Sequence, residues 1–317
     1  MDGSLYSPAR NAPRQRTLRN PISCIGVGLH SGARIEMLLS PAPADSGIVF
    51  HRRDVGVDIP ARFDRIVDTR LATQLAAADA PTVSVSTVEH LLAAFAALGI
   101  DNAHVSLDGP EVPVLDGSAA PFVFLLDCAG IAAQDAPRRE ICILRRTRVV
   151  AGDAFVELLP HPDSHPIPGL AMELSIAFNA PAIGRQAFSL ELSEASFRRE
   201  LASARTFTTA EDIAGLRAAG LAQGGTLDNA IVVDHARVLN PAGLRMPDEF
   251  VRHKLLDAVG DLSLAGLPIR GRFRAHRSGH TLNRHLLEQL FARPEGFCIG
   301  PALPCAAPSA EPALAAA

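Results

Sequence analysis

His253, Asp257 and Asp261 recur every four residues between Phe250 and Asp261. On a helix, residues four apart share one face, so this spacing aligns an imidazole and two carboxylates. Val251, Leu255, Ala258 and Leu262 form an apolar stripe beside them, the pattern of a helix packed on a core. A His and a carboxylate one turn apart can hold a divalent metal from a single rigid element. A catalytic tetrahedral site adds a third protein ligand and keeps the fourth position for water. The other reading of the same spacing is an exposed helix edge with His253 as a local hydrogen bonder.

A second segment, Ser84 to Phe95, offers Glu89 and His90 at the head of an Ala/Leu-rich helix. Here Ser86 and Glu89 have the spacing of a capping box, in which Glu89 reaches back to the cap backbone. The functional reading makes His90 the further metal ligand and Glu89 the general base. Adjacent helical residues diverge by about 100°, so both reach one site only near a helix end. The capping spacing predicts such an end.

Three further segments carry polar residues in suggestive places. Thr206 follows a helix, where its hydroxyl can donate to a developing oxyanion or simply bond the helix end. His280 lies on a Gly-bearing turn at a helix start, as a general acid, a charge stabiliser or a surface residue. Asp116-Gly117-Ser118 reads as a structural turn.

The elements that must position these groups are those of a soluble protein. Of 317 residues, 48% are apolar and 20% charged, enough for one large core or two smaller ones. The net charge of −4 and the absence of Trp argue against a nucleic-acid partner. Five scattered cysteines without a C-x-x-C pair fit a reducing cytoplasm and leave any metal to His and carboxylates. No apolar run is long enough for a transmembrane segment, and no feature demands a partner chain, so a cytoplasmic monomer is expected.

Composition divides the chain into a tail at 1–13, a domain at 14–134, a linker at 135–139, a domain at 140–296 and a Pro/Ala-rich tail at 297–317. Helices are expected near 87–98, 118–129, 194–203, 211–219, 250–262 and 280–292. Strands followed by a helix pair occur twice, and His90 and His253 each head a Leu-Leu-x-Ala segment. This suggests an α+β fold of two related domains with the site between them.

The matching pieces are Thr17-Leu18, Gly26 to Gly32, Ser86 to Leu91, Gly99 to Asn102, Pro110 to Pro113, Asp116 to Ala119, Ala204 to Phe207, Asp228 to Val233, Asp248 to Asp261 and Ser278 to His280. Together, and in this order, they resemble the zinc-dependent UDP-3-O-acyl-N-acetylglucosamine deacetylase family of lipid A biosynthesis. The resemblance implies two β-α-α-β domains, with helices sandwiched between two outer sheets. It implies one Zn²⁺, or Fe²⁺ in the cell, held by His90, His253 and Asp257. Glu89 would take a proton from the attacking water, and Thr206 would stabilise the oxyanion. His280, oriented by Asp261, would stabilise charge or protonate the leaving amine. Lys254 would lie near polar groups of the substrate, UDP-3-O-acyl-N-acetylglucosamine.

The same resemblance makes an insert at about 210–232 an apolar passage for the acyl chain, with Phe207, Ile213, Gly225, Thr226, Leu227, Ala230 and Val232 in the corresponding places. Such residues suit a methylene chain, at about 0.8 kcal/mol per buried CH₂, and equally suit a core. Thr208-Thr209 departs from the Gly-Phe found in many relatives, a change bearing on chain-length preference. Two other readings remain: a non-catalytic metal or nucleotide-sugar binding protein, and a metallo-amidase with a different substrate. Glu89 separates the first from an enzyme, because a structural metal site has no use for a base.

Overall fold

The computed structural model describes residues 13–162 and 169–303. The chain folds as α+β, with two outer sheets and a helical layer between them. The first sheet has five strands in the spatial order Ile22–Val27, Arg34–Pro41, Ala103–Leu107, Ile48–Arg52 and Val57–Pro60. Its central strands alternate in burial, with Ile35, Met37 and Leu39 inward on one strand and Ala103, Val105 and Leu107 on the next. That is the pleat of a sheet packed on one face. The second sheet has seven strands arranged around Ile269–His276, which pairs with Ala154–Leu159, Leu170–Ala177 and Arg139–Ile143.

Between the sheets lie α1 (Glu89–Ala97) and α2 (Ala120–Ala129) from the first half of the chain. The second half supplies α3 (Glu194–Ser196), α4 (Ala210–Ala218), α5 (Glu249–Ser263) and α6 (His280–Phe291); of these α4 lies outside the layer, with no buried residue, against the strands Phe207–Thr209 and Ile231–Asp234. α1 packs on α5, α2 on the first sheet, and α6 on the second sheet and α5. Sandwiched on both sides, α5 buries nearly its whole circumference: Phe250, Val251, Leu255, Leu256, Ala258 and Val259, and also His253, Asp257 and Asp261. The expected stripe is therefore only part of a fully enclosed helix. The other reading of His253, on an exposed helix edge, does not hold.

Several boundaries differ from expectation. Most of the residues assigned to a linker lie in strands, Ile131–Pro137 and Arg139–Ile143. The first of these pairs with Arg14–Leu18 near the chain's start, and this pairing makes ordered structure of a segment whose polar, Pro-bearing composition reads as loose. Phe297–Pro301, assigned to a tail, is an edge strand on Arg139–Ile143. The helix expected at 194–203 is three residues of α3 followed by a π-helical turn, Phe197–Leu201. The N-terminal residues 1–12 and the tail from 304 lie outside the described residues. Among the described residues, no helix is long and apolar enough to cross a membrane.

Candidate metal and acid–base site

α1 and α5 cross closely because of one glycine. A Cβ at Gly260 would lie 2.0 Å from the carbonyl oxygen of Glu89, so only Gly permits this approach. Glycine inside a helix costs about 1 kcal/mol relative to Ala; here it brings the first turn of α1 against the carboxylates of α5. His90, His253 and Asp257 consequently offer ligand atoms all within 4.8 Å of one another. Asp257 Oδ1 lies 3.5 Å from His90 Nε2 and 3.3 Å from His253 Nε2. The two imidazoles meet edge to face, with centroids 4.9 Å apart.

The surroundings fix each ligand. His253 Nδ1 donates to the carbonyl oxygen of Ala204 at 3.0 Å, which leaves the Nε2 lone pair facing Asp257. Burial lowers the His253 pKa to about 4, against the opposing pull of Asp257, and keeps the ring neutral. Asp257 Oδ2 accepts from Lys254 Nζ at 2.8 Å, while Asp257 Oδ1 is buried without a hydrogen-bond partner. Burial works to raise the Asp257 pKa, but His253 and Lys254 outweigh it and hold the carboxyl well below its ordinary value. Lys254 is the chain's one lysine among 30 basic Lys and Arg residues. Burial opposes its charge, yet Asp257 raises its pKa further.

Glu89 does not close a capping box. The residue before α1, Val88, has no side-chain cap, and the Glu89 carboxylate instead accepts the Thr73 backbone N–H at 3.1 Å. The turn into α1 is held by Glu111, which accepts from Thr87 Oγ1 at 2.9 Å and fixes Thr87 in a left-handed conformation of φ 58°. Such strain costs about 1–3 kcal/mol and persists where surrounding bonds enforce it. Burial raises the Glu89 pKa, opposed by His280 and His90; a base with raised affinity for protons suits proton abstraction near neutrality.

His280 faces Glu89 from the first residue of α6, with Nε2 3.8 Å from Glu89 Oε1. Its Nδ1 is 2.8 Å from Asp261 Oδ2. Burial disfavours the imidazolium, but the carboxylates of Asp261, Glu89 and Asp257 overcome it and lift the pKa to about 9. Asp261 is itself clamped, by Thr73 Oγ1 at 2.6 Å and Asn283 Nδ2 at 2.8 Å. Asn283, three residues after His280 on the same helical face, carried a readable spacing signal. Thr73 carried none, since it arrives from a distant loop.

Glu89, His90, His253, Lys254, Asp257 and His280 line a cavity of about 190 Å³ together with Leu29, His30, Leu71, Ala72, Thr87, Phe178, Thr206 and Phe207. Thr206 is fixed by its own backbone, donating to Gly117 O at 2.9 Å and accepting from Ile231 N at 2.8 Å. Gly117, with φ 83°, approaches so near that a Cβ would lie 1.9 Å from Asn229 O, so the turn around it is a structural wedge as expected. Phe207 stacks edge-on against Phe178 and Phe250, at 5.5 and 5.0 Å between centroids. Of the seven residues assigned to an acyl passage, the cavity brings in Phe207. Val232 is buried within the small sheet of Phe207–Thr209, Ile231–Asp234 and Arg237–Val238 and Ala230 is buried just before it, while Ile213 lies on α4 and Thr226 and Leu227 are exposed. Gln223 and Gly224 clasp the loop at His30 and Leu29 through backbone bonds of 3.2 and 3.0 Å.

Sequence comparison decides the family. The family model described as LpxC, UDP-3-O-acyl N-acetylglycosamine deacetylase, matches residues 15–292. The chain belongs to this family. It is 49% identical over 280 residues to a UDP-3-O-acyl-N-acetylglucosamine deacetylase of Anaeromyxobacter sp. (strain Fw109-5), covering 88% of this chain and 89% of the relative. It is also 49% identical over 288 residues to the protein of that name in Acidithiobacillus ferrooxidans, covering 90% and 92%. A third such relative, in Pseudomonas entomophila, is 48% identical over 288 residues, again 90% and 92%. The family match spans the first sheet, the second sheet except its edge strand Phe297–Pro301, and every residue of the site.

Proposed function

We infer that this chain removes the N-acetyl group from UDP-3-O-acyl-N-acetylglucosamine, the committed step of lipid A biosynthesis. Membership of the deacetylase family carries the reaction, and the buried, unpartnered Asp257 Oδ1 between the His90 and His253 rings carries the mechanism. Two nitrogens and one carboxylate oxygen are the donor set of a catalytic zinc site, and ferrous iron also accepts imidazole and carboxylate. We assign the site to zinc held by His90, His253 and Asp257. The ion's contribution when bound is Lewis acidity, polarising an amide carbonyl and making a water more acidic.

The protein's own groups supply the rest. Glu89, held by Thr73 through one oxygen, has the other free to take the proton of the attacking water. Thr206 and the His280 imidazolium face the developing oxyanion. His280 then has a proton at Nε2 for the departing amine, while Asp261 keeps Nδ1 engaged and the ring aligned. Lys254 holds Asp257 and turns its remaining N–H donors towards the cavity. His30, whose two ring nitrogens are buried and unpartnered, offers a further polar contact to the sugar. Phe207 and Phe178 form the apolar start of the acyl passage, which we propose continues along the insert at about 210–232. A cytoplasmic monomer is part of the same proposal.

The test is deacetylation of UDP-3-O-acyl-N-acetylglucosamine by the purified protein as isolated, after chelator dialysis, and after stoichiometric zinc is restored. Activity lost and then regained is the expected result. No turnover by a protein holding one tight metal would point instead to a binding protein or a different amide substrate.

A further inference from the structure

The cysteines scattered in sequence are not all scattered in space. Cys142 on Arg139–Ile143 and Cys298 on Phe297–Pro301 are direct cross-strand partners in an antiparallel pair. Directly opposed residues in such a pair have Cα atoms about 4.5–5.5 Å apart, inside the range of about 4.4–6.8 Å that a disulfide spans. Cys142 is half-buried and Cys298 exposed, and both are free thiols. Cys142 also sits opposite Arg270 on its other flank. Phe297–Pro301 is the edge strand of the sheet, and a terminal edge strand is the element most prone to fray.

We propose that Cys142 and Cys298 form a reversible disulfide by exchange with a small-molecule disulfide such as oxidised glutathione, stapling the last strand to the sheet. The exposed Cys298 thiolate attacks one sulfur of the oxidant, giving a mixed disulfide and releasing one thiolate. Cys142, having lost its proton to solvent, then attacks the Cys298 sulfur and expels the second thiol. The protein loses two electrons and two protons, and the oxidant is reduced to two thiols. Burial raises the Cys142 pKa, which suits it to the second, intramolecular step rather than the first. A cross-strand bond exposed on an edge is readily reduced again, so the link tracks the redox state around it.

The full-length protein, incubated with oxidised glutathione and alkylated, is mapped by peptide mass spectrometry without reduction. The expected product is one Cys142–Cys298 crosslink, reversed by dithiothreitol. Its formation should slow amide exchange in Phe297–Pro301 by at least about tenfold and raise Tm by roughly 5 °C. C142S should stop at a glutathione adduct on Cys298, and C298S should take up no crosslink at Cys142; each should retain the wild-type fold and turnover. A stable adduct on Cys298 in the wild type would overturn the proposal, as would crosslinks to Cys24, Cys128 or Cys305 in preference to the pair.

Discussion

Two sets of buried carboxylates in this protein look alike in sequence and differ in how they are satisfied. Glu249, at the start of α5, accepts from Arg205 through its backbone N–H and its guanidinium, and from the Arg245 backbone N–H. Glu111 accepts from the backbone N–H groups of His30 and Ser31 and from the hydroxyls of Ser31 and Thr87. Every oxygen in these two groups is occupied, and each ties loops to the helical layer. Two turns along α5, Asp257 has one oxygen on Lys254 and the other buried with no partner. Burial of an unpaired polar atom costs free energy, and its persistence beside the His90 and His253 rings is what the proposed ligand role of Asp257 explains. Satisfied carboxylates hold the shape, and the half-satisfied one is where we propose the metal binds.

The contrast is broken most forcefully at Glu89. Glu89→Ala should lower turnover by roughly 10²–10⁴-fold, the usual worth of a general base, with the fold intact. Wild-type rates in steady-state assays of this variant would remove Glu89 from the mechanism. Glu249→Ala should act on the opposite side of the comparison. Leaving Arg205 buried and unpaired should reduce unfolding stability by about 3–5 kcal/mol, read by denaturant titration. A loss of turnover in Glu249→Ala without loss of stability would erase the distinction between the two sets.

His280 sharpens it further. Asp261, with Glu89 and Asp257, overcomes the burial that disfavours its charge and lifts its pKa to about 9, above the ordinary His value of about 6.5. A raised folded-state pKa means that the proton is bound more tightly in the folded protein. The stabilisation is therefore full below about pH 6.5 and is lost as pH rises through about 9. NMR titration of the metal-free protein should find the His280 midpoint near that value. Asp261→Asn should move it downward and narrow the stability window from the alkaline side. An unmoved midpoint in Asp261→Asn would mean that another group governs His280.

The parts legible in the sequence were those encoded locally. The four-residue spacing of His253, Asp257 and Asp261 specifies a shared helical face whatever surrounds it, and α5 carries all three there. The convergence of His90 with that face is a tertiary event permitted by Gly260, and its local context suggested only a helix start. The capping box failed because Thr73, from a remote loop, takes the Glu89 carboxylate that a cap would use. Phe297–Pro301 read as tail because a short edge strand with Gly300 and Pro301 has almost no pattern of its own; its pairing partner supplies the order. Asn283 was within reach, three residues after His280, whereas the cavity walls at Leu71 and Phe178 come from segments without chemical signature.

The most direct test of the unpartnered oxygen is calorimetric titration of metal-stripped protein with zinc, run on the wild type, Glu89→Ala and Asp257→Ala. One tight site per chain is predicted for the wild type and Glu89→Ala, with binding in Asp257→Ala weakened at least 10²-fold or absent. Tight, stoichiometric binding that survives in Asp257→Ala would contradict the assignment of this site as the metal centre.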